Sequence, residues 1–266
     1  MKNRKTLATF VDSLQAQGKY WFTKQEFLDV AGNSNSIAFT QASHRLAKEN
    51  RIALITRGFY VIIPIEYKNS KILPASWYVD PLMKYLNLDY YVGLLIATSF
   101  YGAAHQQPQI FQVCIAKQLR TKHSKSNISF FTKKDLLYTP KEKHKVETGY
   151  INISTKEATA LDLVQYYNLC GYWNNVATTL MELSNSLDPQ LLLDAAINGK
   201  YEIPIIQRLG FLLDLVGGYE QAVLLNKYIQ AQKPRNVYLA AQNKNPHVFL
   251  NKKWRVWVNE EVDLDL

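Results

Sequence analysis

Polar side chains suited to binding nucleic acid occur at helical spacing between residues 36 and 50. Gln41, His44 and Lys48 lie three and four residues apart, which places them on one face of a helix. Amide, imidazole and ammonium groups can bond to base edges or to phosphate oxygens. Arg57 follows beside Gly58, at a tight turn between two apolar runs, where its guanidinium would point outward. The pattern indicates a helix and a hairpin that present cations to an anionic partner.

The same region holds further groups that could contact a DNA duplex. An α-helix fits the major groove, and a hairpin beside it can reach the adjacent backbone or the minor groove. The predicted DNA-binding residues are Ser36, Thr40, Gln41, His44, Arg45, Lys48, Arg51 and Arg57. Two alternatives stay open: a solvated helix face beside a hairpin that only packs, and a module of this kind that binds another protein.

Three helices and a hairpin must position these residues. The sequence TKQE, from Thr23 to Glu26, is a capping box, in which the hydroxyl and the carboxylate accept hydrogen bonds from free N–H groups of the first turn. Apolar spacing and turn residues predict helices over 5–17, 24–31 and 36–50, and strands over 52–56 and 59–63. This order is the winged helix-turn-helix arrangement, so residues 1–66 are predicted to be a DNA-binding domain of that kind.

The chain has a formal net charge of +9, and its basic residues are concentrated in zones. Residues 117–147 carry nine basic and three acidic side chains, whereas residues 148–230 are mildly acidic. A basic excess favours an anionic partner such as nucleic acid. The secondary basic zone consists of Lys117, Arg120, Lys122, Lys125, Lys133 and Lys134. It is predicted to be either a second contact surface or a solvated loop.

The rest of the chain indicates a larger mixed domain. Residues 67–77 are predicted to be a linker, and residues 78–266 the second domain. An apolar stretch over 89–104 predicts a buried helix, and the runs PQIFQVCIAK, ISFFT and VETGYINIS predict strands. A second capping box, Ser154 to Glu157, begins a helical region, and three strand-like runs close the chain. The predicted fold class is α+β, with an N-terminal winged helix-turn-helix domain followed by a larger mixed α/β domain.

Motifs for catalysis or metal binding are missing from the sequence. It has no G-x-S-x-G, no P-loop and no H-E-x-x-H, and its five histidines are scattered. His105 and the following glutamines are expected to bond within a turn, and Asp263 and Asp265 to lie in a solvated tail. We therefore predict no catalytic residues, no metal site, no cofactor and no enzymatic activity.

The cysteines and the apolar runs bear on the cellular compartment. Cys114 and Cys170 lie in apolar runs and are expected to be buried free thiols, which fits a reducing cytosol. The start of the chain does not have the pattern of a signal peptide, and no apolar run reaches 18 residues. The prediction is a cytoplasmic protein without a membrane partner.

Several stretches together resemble one known family. The segment YYVGLLIATSFYGAAHQQPQIFQVCIAK, Tyr90 to Lys117, is similar to the central signature of AbiEi-type antitoxins, which belong to abortive-infection type IV toxin–antitoxin systems. The stretches ISTKEATALDLVQYYNLCGYWNNVATTLMEL and IIQRLGFLLDLVGG also resemble the family, and RLAKENRIALITRGFYVI resembles its helix and wing. The resemblance spans most of residues 5–220, and the C-terminal NKKWRVWVNEEVDLDL lies outside it.

The resemblance implies a function and two partners. It implies an antitoxin that neutralises a nucleotidyltransferase-like toxin without a stable complex, and that represses its own operon by binding promoter inverted repeats in double-stranded DNA. The secondary basic zone could then also contact the RNA or protein target of the toxin. Because no helix offers a coiled-coil seam, we expect a monomer in solution and two copies on DNA. The alternatives are a winged-helix regulator without a toxin partner and an enzyme that acts on nucleic acid.

Overall fold

The structure is a computed structural model that describes residues 6–32, 36–70, 73–103, 108–119, 127–241 and 248–264. Helices and strands are mixed along the chain, which confirms the predicted α+β class. Internal contacts divide the chain into two compact units. The first unit comprises Met1–Asp89, Lys117–Phe130 and Lys143–Ile151, and the second comprises Tyr90–Ala116, Phe131–Glu142 and Asn152–Leu266.

The first unit begins with three helices and three short strands. They are α1 (Leu7–Ala16), β1 (Trp21–Thr23), α2 (Lys24–Ala31), α3 (Ser36–Lys48), β2 (Ile52–Thr56) and β3 (Phe59–Ile62). The strands form an antiparallel sheet in the order β1-β3-β2. The sequence did not predict β1, because three residues are too few to show a period of two. The predicted capping box is confirmed, since Thr23 accepts from Glu26 N and Glu26 accepts from Thr23 N.

An aromatic core holds α3 and the hairpin in place. Phe10 contacts Phe22 edge-on at 5.7 Å between ring centroids and Phe27 at 5.4 Å. Phe39 of α3 lies 5.5 Å from Tyr60 of β3. Burying such rings stabilises a fold by about 1.5–3 kcal/mol each. The side of α3 that carries Phe39 is therefore held inward, which leaves its polar side facing outward.

The predicted linker packs within the first unit. Two short 3-10 helices, Ile65–Tyr67 and Ala75–Trp77, are followed by α4 (Val79–Leu86). The Trp77 ring lies 4.8 Å from the Tyr20 ring and 5.6 Å from the Tyr67 ring. The first unit therefore runs on through residues 67–77 to Asp89, whereas the prediction was that these residues separate a domain of residues 1–66 from one of residues 78–266.

Five strands form one sheet, in the order β6-β5-β4-β8-β7. They are β4 (Tyr90–Val92), β5 (Phe111–Ile115), β6 (Ile128–Thr132), β7 (Lys141–Val146) and β8 (Gly149–Ser154). The predicted helix over 89–104 is wrong in its first part, because Tyr90 and Val92 pair with Ile115 and Val113. Within the described part of that stretch, which ends at residue 103, only α5 (Leu94–Phe100) is an α-helix. Bulky aromatic and β-branched residues favour the strand.

Five longer helices follow in the second unit: α6 (Lys156–Gln165), α7 (Tyr172–Ser184), α8 (Pro189–Asn198), α9 (Ile203–Leu215) and α10 (Tyr219–Gln232). The predicted capping box at Ser154 is wrong by one residue, because Thr155 caps α6 and accepts from Ala158 N. Glu157 is instead buried and accepts from Asp188 N. None of the described helices is both long enough and apolar enough to cross a membrane.

A small sheet of β9 (Val237–Tyr238), β10 (Phe249–Asn251) and β11 (Val256–Val258), in the order β10-β11-β9, confirms the three predicted strand-like runs. Trp254 lies under α9, where a Cβ on Gly210 would come within 2.1 Å of its ring. A glycine is therefore required inside this helix. Cys114 and Cys170 are buried free thiols, as predicted.

Candidate nucleic-acid interface

The outer face of α3 carries most of the predicted DNA-binding residues. Phe39, Ser43 and Leu46 are its buried side chains. Six of the predicted DNA-binding residues on this helix are exposed: Ser36, Thr40, Gln41, His44, Arg45 and Lys48. Arg45 and Lys48 lie in the last turn, where cations interact favourably with the negative end of the helix dipole. The inner face expected from helical phase, Phe39, Ala42 and Leu46, agrees with the burial of Phe39 and Leu46, whereas Ser43 is buried and Ala42 is only partly buried.

Two of these exposed hydroxyls already have partners. Thr40 Oγ1 donates to the Ser36 carbonyl at 2.9 Å, and Lys24 Nζ donates to Ser36 Oγ at 2.7 Å. Lys24 is the first residue of α2, so this bond ties the start of α2 to the start of α3. Lys24 was not predicted as a site residue. The sequence could have indicated it as an anion-binding residue, because Lys24 directly follows the capping Thr23 and the N-terminus of a helix attracts anions.

The hairpin of β2 and β3, called the wing from here on, carries Arg57 at its tip. Arg57 is exposed, and Gly58 beside it has a φ of +81°. Such a backbone conformation favours glycine. Arg51, at the start of the wing, pairs with Asp12 of α1 in a partly exposed ion pair. The structure therefore places Arg57 outward and ties Arg51 to the first helix.

A groove of about 670 Å³ runs between α3 and the wing. It brings together Thr40, His44 and Arg57 of the predicted set. Its other lining residues are Thr23, Lys24, Gln25, Leu28, Phe39, Ser43, Leu54, Gly58, Tyr60 and Tyr85. Two cations, an imidazole and several hydroxyl groups face one concave surface. Such a surface can bond to phosphates and to base edges.

The secondary basic zone is only partly exposed. Lys117 and Lys134 are exposed, whereas Arg120, Lys122 and Lys125 lie outside the described residues. Lys133 is 5% exposed, and its Nζ lies 2.8 Å from Asp162 Oδ1. This placement corrects the expectation that Lys133 belongs to a basic surface, because a buried and paired ammonium cannot reach a phosphate.

Asp162 of α6 is the centre of a buried polar cluster in the second unit. Besides Lys133, its carboxylate accepts from Tyr201 OH at 2.8 Å and from Tyr91 OH at 2.7 Å. The Lys133 ammonium also lies 3.7 Å from the centroid of the Tyr201 ring. A buried charge is tolerated when it is paired and its remaining lone pairs accept hydrogen bonds. We call these four residues the Asp162 cluster.

Burial governs the protonation of the groups in and beside the Asp162 cluster. It raises the pKa of Tyr91 and of Tyr201 well above the ordinary value, and the negative charge of Asp162 adds to the effect. Burial and then Asp162 raise the pKa of the Cys114 thiol to about 12. The phenols and the thiol are therefore protonated at neutral pH. The cluster has the properties of a structural network, since its phenols act as hydrogen-bond donors.

Comparison with known proteins identifies the second part of the chain. Residues 91–215 match the model of the AbiEi antitoxin C-terminal domain. This region is an AbiEi antitoxin domain. The family recognised from the sequence is thereby confirmed. The match covers α6 and Asp162 and ends at the last residue of α9, so the outer face of α3 and the wing lie outside it.

The fold resembles a solved structure. The crystal structure of the RV2827C protein from Mycobacterium tuberculosis matches with a TM-score of 0.69 at 14% sequence identity, covering 94% of this chain and 90% of that one. At that identity the likeness shows the fold alone. No curated protein matches the sequence.

Proposed function

We propose that this protein is the antitoxin of a type IV toxin–antitoxin system that also represses its own operon. The observation that carries the proposal is the AbiEi antitoxin domain over residues 91–215. That domain follows elements that present exposed cations on α3 and the wing. The proposed partners are a nucleotidyltransferase-like toxin, neutralised without a stable complex, and inverted repeats in the promoter.

The order of elements in residues 6–62 supports the DNA-binding role. Helix, strand, two helices and a hairpin are the parts of a winged helix-turn-helix domain, in which the second helix of the helix-turn-helix enters the major groove. By this reasoning α3 reads bases through Gln41 and His44. Lys24, Lys48 and Arg57 contact phosphates on either side. Lys117 and Lys134 are available for an additional phosphate contact, whereas Lys133 is not.

Two copies of the protein would bind an inverted repeat, because each copy offers one α3 face to one half-site. We expect the free protein to sediment as a monomer. A tight dimer in sedimentation without DNA would contradict this stoichiometry.

Variants of the full chain separate the two proposed activities. The double variant Lys48→Ala/Arg57→Ala removes two exposed charges of the DNA interface. We expect it to lose repression of a reporter joined to its promoter, yet to restore growth to cells that express the toxin from an independent promoter. Lys227→Ala is the matched control, because it removes an exposed charge from α10. We expect the control to repress and to rescue like the parent.

The growth assay tests the antitoxin role itself. The toxin gene for this assay is the neighbouring reading frame, which the proposal expects to encode a nucleotidyltransferase. A soluble and folded parent that fails to restore growth would refute neutralisation. A double variant that fails in both assays would show that DNA binding and neutralisation share these residues. One that represses but does not rescue would contradict the assignment of Lys48 and Arg57 to the DNA interface.

A further inference from the structure

The helix α4 contacts the tip of the wing through one side chain. Tyr85 OH donates a hydrogen bond to the carbonyl of Arg57 at 3.0 Å. The Tyr85 ring also packs against Phe59, with 5.4 Å between the centroids. Phe59 is fully buried, whereas Tyr85 is 43% exposed. One face of the tyrosine is thus anchored in the core of the first unit, and its hydroxyl reaches the turn that carries the tip arginine.

The turn and the tyrosine are fitted closely to each other. A Cβ built on Gly58 would lie 2.6 Å from Tyr85 Oη, so the tyrosine hydroxyl would have to move away from the turn to make room for it. Glycine at this position therefore satisfies two conditions at once: the positive φ of the turn and the close approach of the hydroxyl.

Tyr85 belongs to a helix whose inner face is buried. Val79, Leu82 and Met83 of α4 are fully buried, and Asn87 ends the helix in the left-handed conformation. Tyr85 projects from this anchored helix, so its hydroxyl occupies a defined position. A hairpin tip bonded to such a donor loses less conformational entropy on binding than a free tip would.

We propose that Tyr85 is a positioning residue for DNA binding. It holds the turn of Arg57 and Gly58 so that the guanidinium is presented at the groove between α3 and the wing. Tyr85 itself lines that groove together with Lys24 and His44. The ligand concerned is a backbone phosphate of duplex DNA. The inference rests on the proposed function and extends the DNA-binding surface beyond residues 1–66.

The test compares promoter affinities of full-length variants over a series of salt concentrations. Tyr85→Phe keeps the ring and removes the hydroxyl, and we expect affinity to fall about 2- to 10-fold, which corresponds to one net hydrogen bond. Arg57→Ala should reduce the slope of log K against log salt by about 0.9, the value for one phosphate contact. Tyr85→Phe should reduce the same slope by a smaller amount. A purely structural role would lower the fraction of active protein and leave the slope unchanged.

A double variant shows whether the tyrosine acts through the arginine. In the Arg57→Ala background, Tyr85→Phe should have little further effect on affinity. Tyr219→Phe, at an exposed tyrosine of α10, is the matched control and should bind like the parent. The urea midpoints of all variants establish that they are folded.

The outcomes separate this inference from the proposed function. If the parent does not bind its promoter duplex, the DNA-binding function fails, and the inference fails with it. If the parent binds and Arg57→Ala weakens binding, an unchanged Tyr85→Phe overturns the inference alone. Equal losses from Tyr85→Phe in the parent and in the Arg57→Ala background would also overturn it, because the tyrosine would then act independently of Arg57.

Discussion

Lys48 of α3 and Lys133 beside β6 both belong to basic stretches of the sequence, yet their surroundings are opposite. Lys48 is exposed on a helix face that also carries Gln41 and His44. Lys133 is buried and paired with Asp162. The difference shows that a basic zone in a sequence is not a basic surface. Burial of the neighbouring positions decides which charges can meet a phosphate.

The periodicity of the strand explains the burial of Lys133. In ISFFTKK, Phe131 is buried, Thr132 is exposed, Lys133 is buried and Lys134 is exposed. Side chains of an extended chain alternate between faces, so Lys133 continues the inward phase set by Phe131. The two lysines therefore separate into one structural and one solvated residue. The alternation in the sequence already indicated that Lys133 points inward, whereas the net charge of residues 117–147 does not distinguish the two lysines.

The largest expected effect is on stability and concerns the buried ion pair of Lys133 and Asp162. Asp162→Asn should leave the Lys133 ammonium buried without a counter-charge, which costs about 3–5 kcal/mol of unfolding free energy. Urea denaturation measures this loss. Asp29→Asn, at an exposed carboxylate of α2, is the control and should change stability by less than about 0.5 kcal/mol.

A second variant distinguishes the charge from the packing at the same site. Lys133→Met/Asp162→Leu removes both charges, and we expect it to be more stable than Asp162→Asn, because no uncompensated ion remains. If Asp162→Asn were as stable as the parent, water or another group would have to stabilise the charge of the Lys133 ammonium in place of Asp162.

The next largest effect is on DNA sequence discrimination and concerns the exposed face of α3. Gln41→Ala and His44→Ala should each reduce discrimination between the promoter site and altered sites by about 1–3 kcal/mol, the value of a good base contact. Competition binding with base-substituted duplexes measures it. Lys48→Ala should instead weaken binding to all sequences evenly. If Gln41→Ala and His44→Ala both discriminate between sites like the parent, α3 is not the element that reads the bases.

The regions differ in how much the sequence could predict. For α3, the buried Phe39 and Leu46 and the exposed His44 follow from helical phase, which is a local property. The pairing of Lys133 with Asp162 joins residues 29 positions apart and depends on tertiary packing. No local pattern encodes it.

Short elements were also missed for physical reasons. The strands β1 and β4 have three residues each, too few to show a period of two, and β4 begins an apolar run that resembles a buried helix. Tyr85 gave no sequence signal, because its role depends on where α4 meets the wing. Local periodicity therefore predicted the helix face, whereas contacts made over long sequence distances determined the remaining site residues.

The smallest expected effect concerns the thiol beside the Asp162 cluster. Burial and Asp162 raise the pKa of Cys114 to about 12, so the folded protein keeps this proton while the unfolded chain loses it near pH 9. The stabilisation is fully present below pH 9 and is lost as pH rises towards 12, because the unfolded state then binds fewer protons. Between pH 8 and pH 10 the loss should be about 1 kcal/mol. Cys114→Ala should lose less stability than the parent over the same interval, as measured by urea denaturation at both pH values. Equal losses in the two proteins would show that the thiol is not held in its neutral form by the fold.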